Sequence, residues 1–351
     1  TKTRSPRNVE SGTRVSEIRG LWVKEYCDFD KLTVEKIALP VIEPKQVRIK
    51  VQAAGVSFAA NLVVAGKYQR KPPLPFTPGT ECTGLVIECG AEVTRFKPGD
   101  RVCAALDWGA YAEEAIAWEV NTYAIPDNLT FTQATNFNSY ATSAAALTWP
   151  HLLDLQDGQT LLIHGAAGAI GLAAIDIAKI IGAKVIATAS TEEKRNAALK
   201  QGADHVIDYS DGNFRDEVND LTNGSGANAI LDPVGGDIFD QSLRCISMEG
   251  RICPIGFTSG SAAQIASNIV LVKNVTVCGL NMGTYYGWSP NDVRYEMEDR
   301  VRNLMTAFKR WGSAEKIRPQ VFATFPLDNF KQAMALTLSR KSIGRVAFVM
   351  N

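Results

Sequence analysis

A turn between a short apolar run and a helical segment is the part of this chain best suited to chemistry. Leu161–Ile163 is short enough for a buried strand, and it leads through Gly165 into a segment of helical periodicity. A helix that begins at such a turn directs free N–H groups and a partial positive charge at an anion. The pattern therefore predicts a pyrophosphate site for a dinucleotide at Ala167, Gly168, Ala169, Ile170 and Gly171.

The spacing in this turn is A-x-G-x-x-G, one glycine short of the full dinucleotide pattern. An ordinary strand-to-helix turn is the alternative interpretation. The context favours the nucleotide, because Gly171, Ala174, Ile175 and Ala178 recur at helical spacing and Gly182 is placed to end the helix.

The following strand, Lys184–Ala189, ends without a carboxylate. An Asp or Glu there would bind the ribose 2′-hydroxyl of NAD and would repel a 2′-phosphate. Its absence favours NADPH, with Ser190, Lys194 and Tyr209 as candidate ligands of the phosphate. In the structural alternative, Ser190 and Glu193 form a capping box and Lys194 is a solvated surface side chain.

Strand and helix patterns alternate from residue 161 to residue 280, which predicts an α/β fold with a doubly wound parallel Rossmann sheet. The first 137 residues consist of short alternating segments between turns, which predicts a β-rich, partly barrel-like domain. A helix near Asn291–Arg310 and two strands near Val321–Phe325 and Arg345–Met350 follow. We expect a β-rich domain at residues 1–137, an inserted nucleotide domain at 138–283, and a return to the first domain at 284–351.

Composition and charge exclude several classes of function. Lys plus Arg and Asp plus Glu balance at 37 each, which argues against a nucleic-acid partner. The sequence has no apolar run long enough for a membrane span. Seven cysteines without a C-x-x-C motif favour the reduced cytoplasm, while residues 1–16, polar and Arg-bearing, leave a disordered tail or a mitochondrial address as alternatives.

Four further motifs carry a resemblance to a family: Ala53–Phe58, Gly66–Gly79, Lys97–Val102 and Leu231–Gly236. In this order they resemble the zinc-independent, zeta-crystallin-like NADPH:quinone oxidoreductases of the medium-chain dehydrogenase/reductase superfamily. The resemblance implies a GroES-like catalytic domain, NADPH as cofactor, and a homodimer that pairs the last sheet strand near Asn274–Leu280.

The resemblance also implies roles for particular residues. The turn at 167–171 matches the pyrophosphate site, and Ser190, Lys194 and Tyr209 match the 2′-phosphate site. Thr142, Gly256 and Phe257 match positions beside the nicotinamide. The chain departs from the family at Ser57, where quinone reductases often have Asn, and at Ala60, where they often have Asp.

A catalytic zinc needs about three converging ligands, and the chain lacks them at the expected places. Zinc-bearing relatives have Cys and His where this chain has Ser57 and Thr80, and the sequence contains three histidines, His151, His164 and His205. We expect no metal. The acceptor must then be activated by conjugation, as in a quinone, an enone or an enoyl thioester.

Tyr68 and Ser57 are the candidate catalytic residues. Tyr68 lies in a proline-stiffened loop and could donate a proton or orient the substrate, although packing against the loop is the alternative. The Ser57 hydroxyl could donate a hydrogen bond. Tyr285, Tyr286 and Trp288 line either an aromatic acceptor pocket or a domain interface. Basic residues near Tyr68 either attract the phosphates of coenzyme A or form a solvated face: Lys67, Arg70 and Lys71.

The sequence therefore predicts an NADPH-dependent oxidoreductase that transfers hydride to a quinone or an α,β-unsaturated ketone without a metal. An enoyl-CoA reductase is the alternative enzyme. A protein that binds NADPH without turnover is the alternative outside catalysis.

Overall fold

The structure is a computed structural model that describes residues 17–210 and 212–350. The expectation for residues 1–16 lies outside the described residues. The strands, numbered in chain order, are β1 (Glu17–Trp22), β2 (Thr33–Ala38), β3 (Gln46–Val56), β4 (Glu81–Cys89), β5 (Arg101–Ala105), β6 (Glu114–Trp118), β7 (Thr122–Ala124), β8 (Thr160–Ile163), β9 (Lys184–Thr188), β10 (His205–Ile207), β11 (Ala227–Asp232), β12 (Ile246–Pro254), β13 (Thr276–Val277), β14 (Val321–Pro326) and β15 (Arg345–Val349).

Helices connect and cover these strands. They are α1 (Phe58–Val64), α2 (Phe131–Ala134), α3 (Phe137–Thr148), α4 (Ala169–Ile181), α5 (Glu192–Gln201), α6 (Phe214–Leu221), α7 (Asp237–Cys245), α8 (Ser267–Lys273), α9 (Met282–Tyr285), α10 (Glu298–Ser313) and α11 (Phe330–Leu338). None of the helices in the described part of the chain combines the length and the apolar character that crossing a bilayer requires.

The β-rich domain is built around the long strand β3. This strand pairs antiparallel with β4, β6 and β15, and β5 and β7 extend the sheet beyond β4. Alternate residues of β3 are buried, among them Val47, Ile49 and Val51, as expected for a sheet with one face on the core. The partner β15 comes from the end of the chain, with Val346 opposite Val56, so the C-terminal segment completes this sheet.

The second sheet is parallel throughout, in the order β10-β9-β8-β11-β12-β13. The first strand of the chain in this sheet, β8, lies inside it, and the order runs outward in both directions. Leu161, Leu162 and Ile163 are all fully buried, because helices cover both faces of the sheet. The predicted fold class, a doubly wound parallel sheet inserted in a β-rich domain, is confirmed, while the domain limits stay a prediction.

Several predicted elements differ in extent from the structure. The last parallel strand is two residues long, Thr276–Val277, and it begins two residues later than predicted because Asn274, in a left-handed conformation, ends α8. The long C-terminal helix begins at Glu298 rather than near Asn291. Six helices have no predicted counterpart: α1, α2, α3, α8, α9 and α11. Of these, α1 and α11 derive their stability from burial against the β-rich core.

Candidate functional site

The turn between β8 and α4 has the geometry of an anion site. Gly165 has a φ of +56°, so a glycine that permits the tight turn is present one residue before the A-x-G-x-x-G motif. This glycine takes the place of the one that the motif lacks. Gly168 has a φ of −72° and precedes the helix as its N-cap, with its surface exposed. The first turn of α4 therefore presents N–H groups without helical partners beside an exposed glycine, which is the arrangement that binds anions.

Gly171 allows α4 to approach the turn closely. A Cβ atom at this position would lie 2.5 Å from the carbonyl oxygen of Ala166 and 2.6 Å from its Cα atom. Any side chain would therefore displace the helix from the turn. The predicted helical face is buried, and Gly182 ends the helix with a φ of +95°.

The neighbouring segments fix the start of α4. Ser143 of α3 donates a hydrogen bond of 2.9 Å to the carbonyl oxygen of Ile170. From the end of the chain, the Gly344 N–H donates to the carbonyl oxygen of Ala167 at 2.8 Å. Thr142, the residue before Ser143, is 9% exposed on α3. These contacts hold the anion-binding turn in place without any ligand.

Of the predicted 2′-phosphate residues, Tyr209 lines a cleft of about 720 Å³ at one end of the sheet. Tyr209 and Arg340 both line this cleft, and the Lys194 ammonium donates a hydrogen bond of 2.6 Å to the carbonyl oxygen of Arg340. Partial burial lowers the pKa of Lys194 and raises that of Tyr209. Arg340 was missed by sequence reasoning, because it lies about 130 residues from Tyr209 and in no motif; its φ of +58° marks a turn in the structure.

The structural alternative for Ser190 is corrected by the geometry of α5. Thr191, not Ser190, is the N-cap, and its hydroxyl oxygen accepts a hydrogen bond from the Lys194 backbone N–H at 3.3 Å. Ser190 is half-buried at the end of β9. The capping box with Glu193 was therefore wrong, and the hydroxyl of Ser190 is not needed to begin the helix.

The loop after β11 supports the segment that contains Gly256 and Phe257. The buried Asp232 carboxylate accepts hydrogen bonds from the N–H groups of Val234 and Gly235, at 2.8 and 3.0 Å. The N–H of Thr258 donates to the carbonyl oxygen of Pro233 at 3.0 Å. Phe257 is 51% exposed, so its ring is open to a ligand at this end of the sheet.

Tyr68 lines a narrow cavity between the two domains. The wall from the β-rich domain includes Tyr68, Arg70 and Trp108, and the wall from the segment after β13 includes Asn281 and Trp288. Burial raises the pKa of Tyr68, and the nearby Arg70 guanidinium offsets part of this rise. The phenol is therefore protonated at neutral pH, as a proton donor must be.

The other aromatic residues of this region have structural positions. Tyr286 is fully buried, and its ring centroid lies 5.3 Å from that of Trp288. Tyr285 packs against Trp149 with a centroid distance of 4.7 Å. The predicted aromatic cluster thus divides: Trp288 lines the cavity, and the two tyrosines belong to the packed core behind it.

Ser57 begins helix α1 as its N-cap. Its hydroxyl oxygen accepts a hydrogen bond of 3.2 Å from the Ala60 N–H. Ala60 is buried and lines the Tyr68 cavity. Ser57 therefore has a structural role as the N-cap of α1, and its catalytic role stays a prediction.

The residues present do not fit a catalytic zinc. The described residues contain no group of three or more His, Cys, Asp or Glu side chains that could hold a metal ion. His164 is fully buried between the hydroxyl groups of Thr188 and Ser242, at 2.9 and 2.8 Å. Burial lowers the pKa of His164 to about 4, so the ring is neutral and serves the core.

A charge network ties the Tyr68 loop to the C-terminal segment. The Asp107 carboxylate accepts hydrogen bonds from Arg70 at 2.9 Å and from Arg294 at 3.0 Å. The Arg294 side chain is only 5% exposed, and it also pairs with Asp292 at 2.8 Å. We call Arg70, Asp107 and Arg294 the arginine clamp. Asp107 thus pairs with Arg70, one of the three basic residues predicted near Tyr68. The other two, Lys67 and Lys71, have exposed side chains.

A parallel nucleotide-binding sheet inserted in a GroES-like β domain defines the class of medium-chain dehydrogenases/reductases. Comparisons with known proteins agree with this class. Residues 43–127 match the family model of the alcohol dehydrogenase GroES-like domain, and residues 169–301 match that of the zinc-binding dehydrogenases. Despite the second description, this chain has Ser57 and Thr80 at the positions where the resemblance places zinc ligands.

The comparisons with individual proteins are more specific. Quinone oxidoreductase-like protein 2 of Rattus norvegicus is 39% identical over 320 residues, which cover 90% of this chain and 88% of that protein. The homologue from Nematostella vectensis is 42% identical and covers 90% and 84%, respectively. A mycobacterial protein solved with NADPH is 27% identical, with a TM-score of 0.84 over 94% of this chain and 99% of that one. This chain belongs to the quinone oxidoreductase-like family, a zinc-independent family of oxidoreductases.

Proposed function

We propose that this protein is an NADPH-dependent oxidoreductase that reduces a quinone or an α,β-unsaturated ketone without a metal. The observation that carries the proposal is the approach of Lys194 and Arg340 at the cleft that Tyr209 lines, beside a strand end without a carboxylate. Two cations there favour a 2′-phosphate over a free ribose. The NADPH bound to the mycobacterial structure is consistent with this choice.

The residues present fit NADPH. The open N-terminus of α4 would hold the pyrophosphate, with Ala167, Gly168, Ala169, Ile170 and Gly171 forming the turn. Ser190, Lys194, Tyr209 and Arg340 would hold the 2′-phosphate. Thr142 and the segment Gly256–Phe257 would border the nicotinamide, which when bound supplies a hydride.

The residues of this chain position the acceptor and supply a proton. The acceptor would be positioned at the Tyr68 cavity, a space of about 50 Å³ whose walls come from the β-rich domain and from the segment after β13. The Tyr68 hydroxyl holds its proton at neutral pH, because burial raises its pKa, and it gives this proton to the reduced acceptor. Conjugation in the acceptor spreads the incoming negative charge, which is why hydrogen-bond donors suffice.

A side-by-side assay tests the proposal. Initial rates are measured with NADPH and with NADH on 1,2-naphthoquinone, an enone and crotonyl-CoA. We expect the quinone or the enone to be reduced fastest, with a higher kcat/KM for NADPH than for NADH. A dominant rate on crotonyl-CoA would instead identify an enoyl-CoA reductase, and tight NADPH binding without turnover of any acceptor would make the protein non-catalytic.

We further propose that the protein is a cytoplasmic homodimer. Among the described residues, strand β13 forms one edge of the parallel sheet and pairs with β12. The adjacent helix α8 exposes two large apolar side chains, Leu271 at 77% and Val272 at 78%. An unpaired strand edge beside exposed apolar residues favours pairing with a second copy. The seven cysteines are free thiols, which supports a reducing compartment.

A further inference from the structure

Two of the seven cysteines are neighbours on adjacent strands of the parallel sheet. In the pairing of β12 with β13, Ile252 lies opposite Val277. The next residue along each chain segment is a cysteine, Cys253 in one and Cys278 in the other. The ladder reaches this pair, because the Cys278 N–H donates a hydrogen bond of 2.9 Å to the carbonyl oxygen of Ile252. Adjacent strands lie about 4.8 Å apart, within the Cα–Cα range of roughly 4.4–6.8 Å that a disulfide spans.

The two thiol groups lie on the same face of the sheet. Successive side chains of a strand point to opposite faces. Ile252 and Val277 pack with the apolar cluster on one face. Cys253 and Cys278 both belong to the cluster on the other face. Their sulfur atoms are in hydrogen-bond contact, with the Cys253 thiol as the donor, so neither side chain has to change face to reach the other.

A second pair of cysteines shows what this arrangement requires. Cys82 and Cys103 are also on adjacent strands, β4 and β5, where Thr83 lies opposite Cys103. Cys82 belongs to the core of the β-rich domain, whereas Cys103 belongs to the core on the opposite face of that sheet. Two thiols on opposite faces cannot form a bond. This pair therefore serves as an internal comparison for Cys253 and Cys278.

The two neighbouring thiols differ in reactivity. The hydrogen bond from Cys253 lowers the pKa of the Cys278 thiol, burial opposes this effect, and the positive charge of Arg251 adds to it. The same hydrogen bond, together with burial, raises the pKa of Cys253. Cys278 follows the edge strand β13 and is 8% exposed, whereas Cys253 is fully buried. Cys278 is thus the thiol that an oxidant reaches first.

We propose that Cys253 and Cys278 form a dithiol that hydrogen peroxide converts to a disulfide. The Cys278 thiolate attacks one peroxide oxygen and the O–O bond breaks, which gives a sulfenic acid, while the other oxygen takes the thiol's proton and leaves as water. The Cys253 sulfur then attacks the sulfenic sulfur. The S–S bond forms, the S–O bond breaks, and the second oxygen leaves as water with the Cys253 proton. The two thiols lose two electrons, and the peroxide gains them.

The disulfide would lie beside both parts of the proposed site, although the inference depends on neither. Strand β12 continues into Gly256–Phe257, and the segment after Cys278 reaches Asn281 in the wall of the Tyr68 cavity. Disulfides in a reducing compartment are mostly transient and respond to oxidants. The side chains stand on a face of the sheet, so a second copy paired at the β13 edge would leave the contact between the two sulfur atoms intact.

Peptide mapping of the wild-type protein tests the proposal. The protein, freed of reductant, is treated with excess hydrogen peroxide, unfolded with iodoacetamide present and digested with trypsin. Cleavage after Arg251, Lys273 and Arg294 gives peptides 252–273 and 274–294, which contain one cysteine each. We expect the two peptides to be joined and to separate after treatment with dithiothreitol. Full alkylation of both cysteines, or a sulfinic acid on Cys278 without joined peptides, overturns the inference.

Single variants test the order of the two steps. In Cys253→Ser the sulfenic acid has no thiol to meet, so dimedone, added as the protein is unfolded in urea, should label Cys278. In Cys278→Ser the buried Cys253 should stay reduced. Cys103→Ser is the matched control and should form the joined peptides as the wild type does. Dimedone labelling absent from Cys253→Ser, or Cys253 oxidised in Cys278→Ser, contradicts the proposed order.

The result does not depend on the folding of any variant. If a serine variant does not fold, the alanine variant at the same position takes its place, and the peptide map of the wild-type protein decides whether the disulfide forms. The test needs neither NADPH nor an acceptor, so its outcome is separate from that of the proposed function.

Discussion

Lys194 and Arg340 belong to distant parts of the chain and come into contact at the cleft that Tyr209 lines. Lys194 is on α5 in the nucleotide domain, and Arg340 follows α11 near the C-terminus. The lysine already donates a hydrogen bond to the arginine's backbone, so its ammonium is positioned before a phosphate binds. In the proposed site, recognition of the phosphate would thus depend on the C-terminal segment as well as on the Rossmann sheet.

Removing the lysine charge should affect one cofactor far more than the other. Lys194→Ala should raise the KM for NADPH about ten- to a hundredfold, because a charge-assisted hydrogen bond is lost, and leave the KM for NADH nearly unchanged. Arg340→Ala should act in the same direction. Lys200→Ala, on the same helix with an exposed side chain, is the control. Equal rises for both cofactors would contradict the phosphate assignment.

Tyr68 should give the reaction an alkaline limb. A general acid must be protonated, and the pKa of Tyr68 lies above its ordinary value of about 10 because of burial. We expect kcat to be level through neutral pH and to fall only above that pKa. Tyr68→Phe should lower kcat at least about a hundredfold and abolish this limb. A pH–rate profile measures both effects, and a fully active Tyr68→Phe variant would make the tyrosine a packing residue.

At the scale of secondary-structure elements, the approach of α4 to its turn depends on the lack of a side chain at Gly171. Gly171→Val should destabilise the fold by about 3 kcal/mol, because the new side chain meets the Ala166 backbone, which cannot move aside. The same displacement should weaken NADPH binding, measured by titration calorimetry. Gly279→Ala is the control, since a Cβ there has no neighbour within 4 Å. A Gly171→Val variant as stable as wild type would show that α4 can shift freely.

The arginine clamp joins the Tyr68 loop to the segment before α10. Asp107→Asn removes the charge that both arginines share, which leaves the buried Arg294 with Asp292 as its remaining carboxylate partner in the network. We expect a loss of about 3 kcal/mol in the free energy of unfolding, measured by urea denaturation. Asp292→Asn should cost less than about 1 kcal/mol, because its carboxylate is 52% exposed. If Asp107→Asn costs no more than Asp292→Asn, the clamp adds nothing to the free energy of unfolding.

At the scale of the whole molecule, the proposed dimer would form at the β13 edge of the parallel sheet. Leu271→Glu combined with Val272→Glu places like charges on that surface and should convert the proposed dimer to a monomer of 38.1 kDa. Light scattering coupled to size exclusion measures the mass. Val41→Glu, at an exposed position of the β-rich domain, should leave the dimer intact. A wild-type protein that is already monomeric at micromolar concentration removes this part of the proposal.

At the scale of the whole molecule, the cavities proposed for the cofactor and for the acceptor lie at different places relative to the two domains. The cleft lined by Tyr209 and Arg340 lies at one end of the parallel sheet. The Tyr68 cavity lies between the domain that contains this sheet and the β-rich domain. The C-terminal segment contributes to the cleft through Arg340 and to the turn before α4 through Gly344. Returning the chain to the first domain thus serves the site as well as the fold.

The sequence by itself determined the features that depend on near neighbours. The alternation of strands and helices, the helix at Glu192–Gln201 and the turn before α4 all follow from local periodicity and from where glycine occurs. Even the missing glycine of the motif has a local substitute, Gly165. These features were predictable because the forces that produce them act within a few residues.

Only the tertiary structure decided which distant side chains meet. It placed Arg340 beside Lys194 and buried Arg294 against Asp107. It also shortened the last strand to two residues and gave the N-cap of α5 to Thr191. Such outcomes depend on packing and on charges more than a hundred residues apart, or on small differences in backbone direction, and no local pattern in the sequence records either.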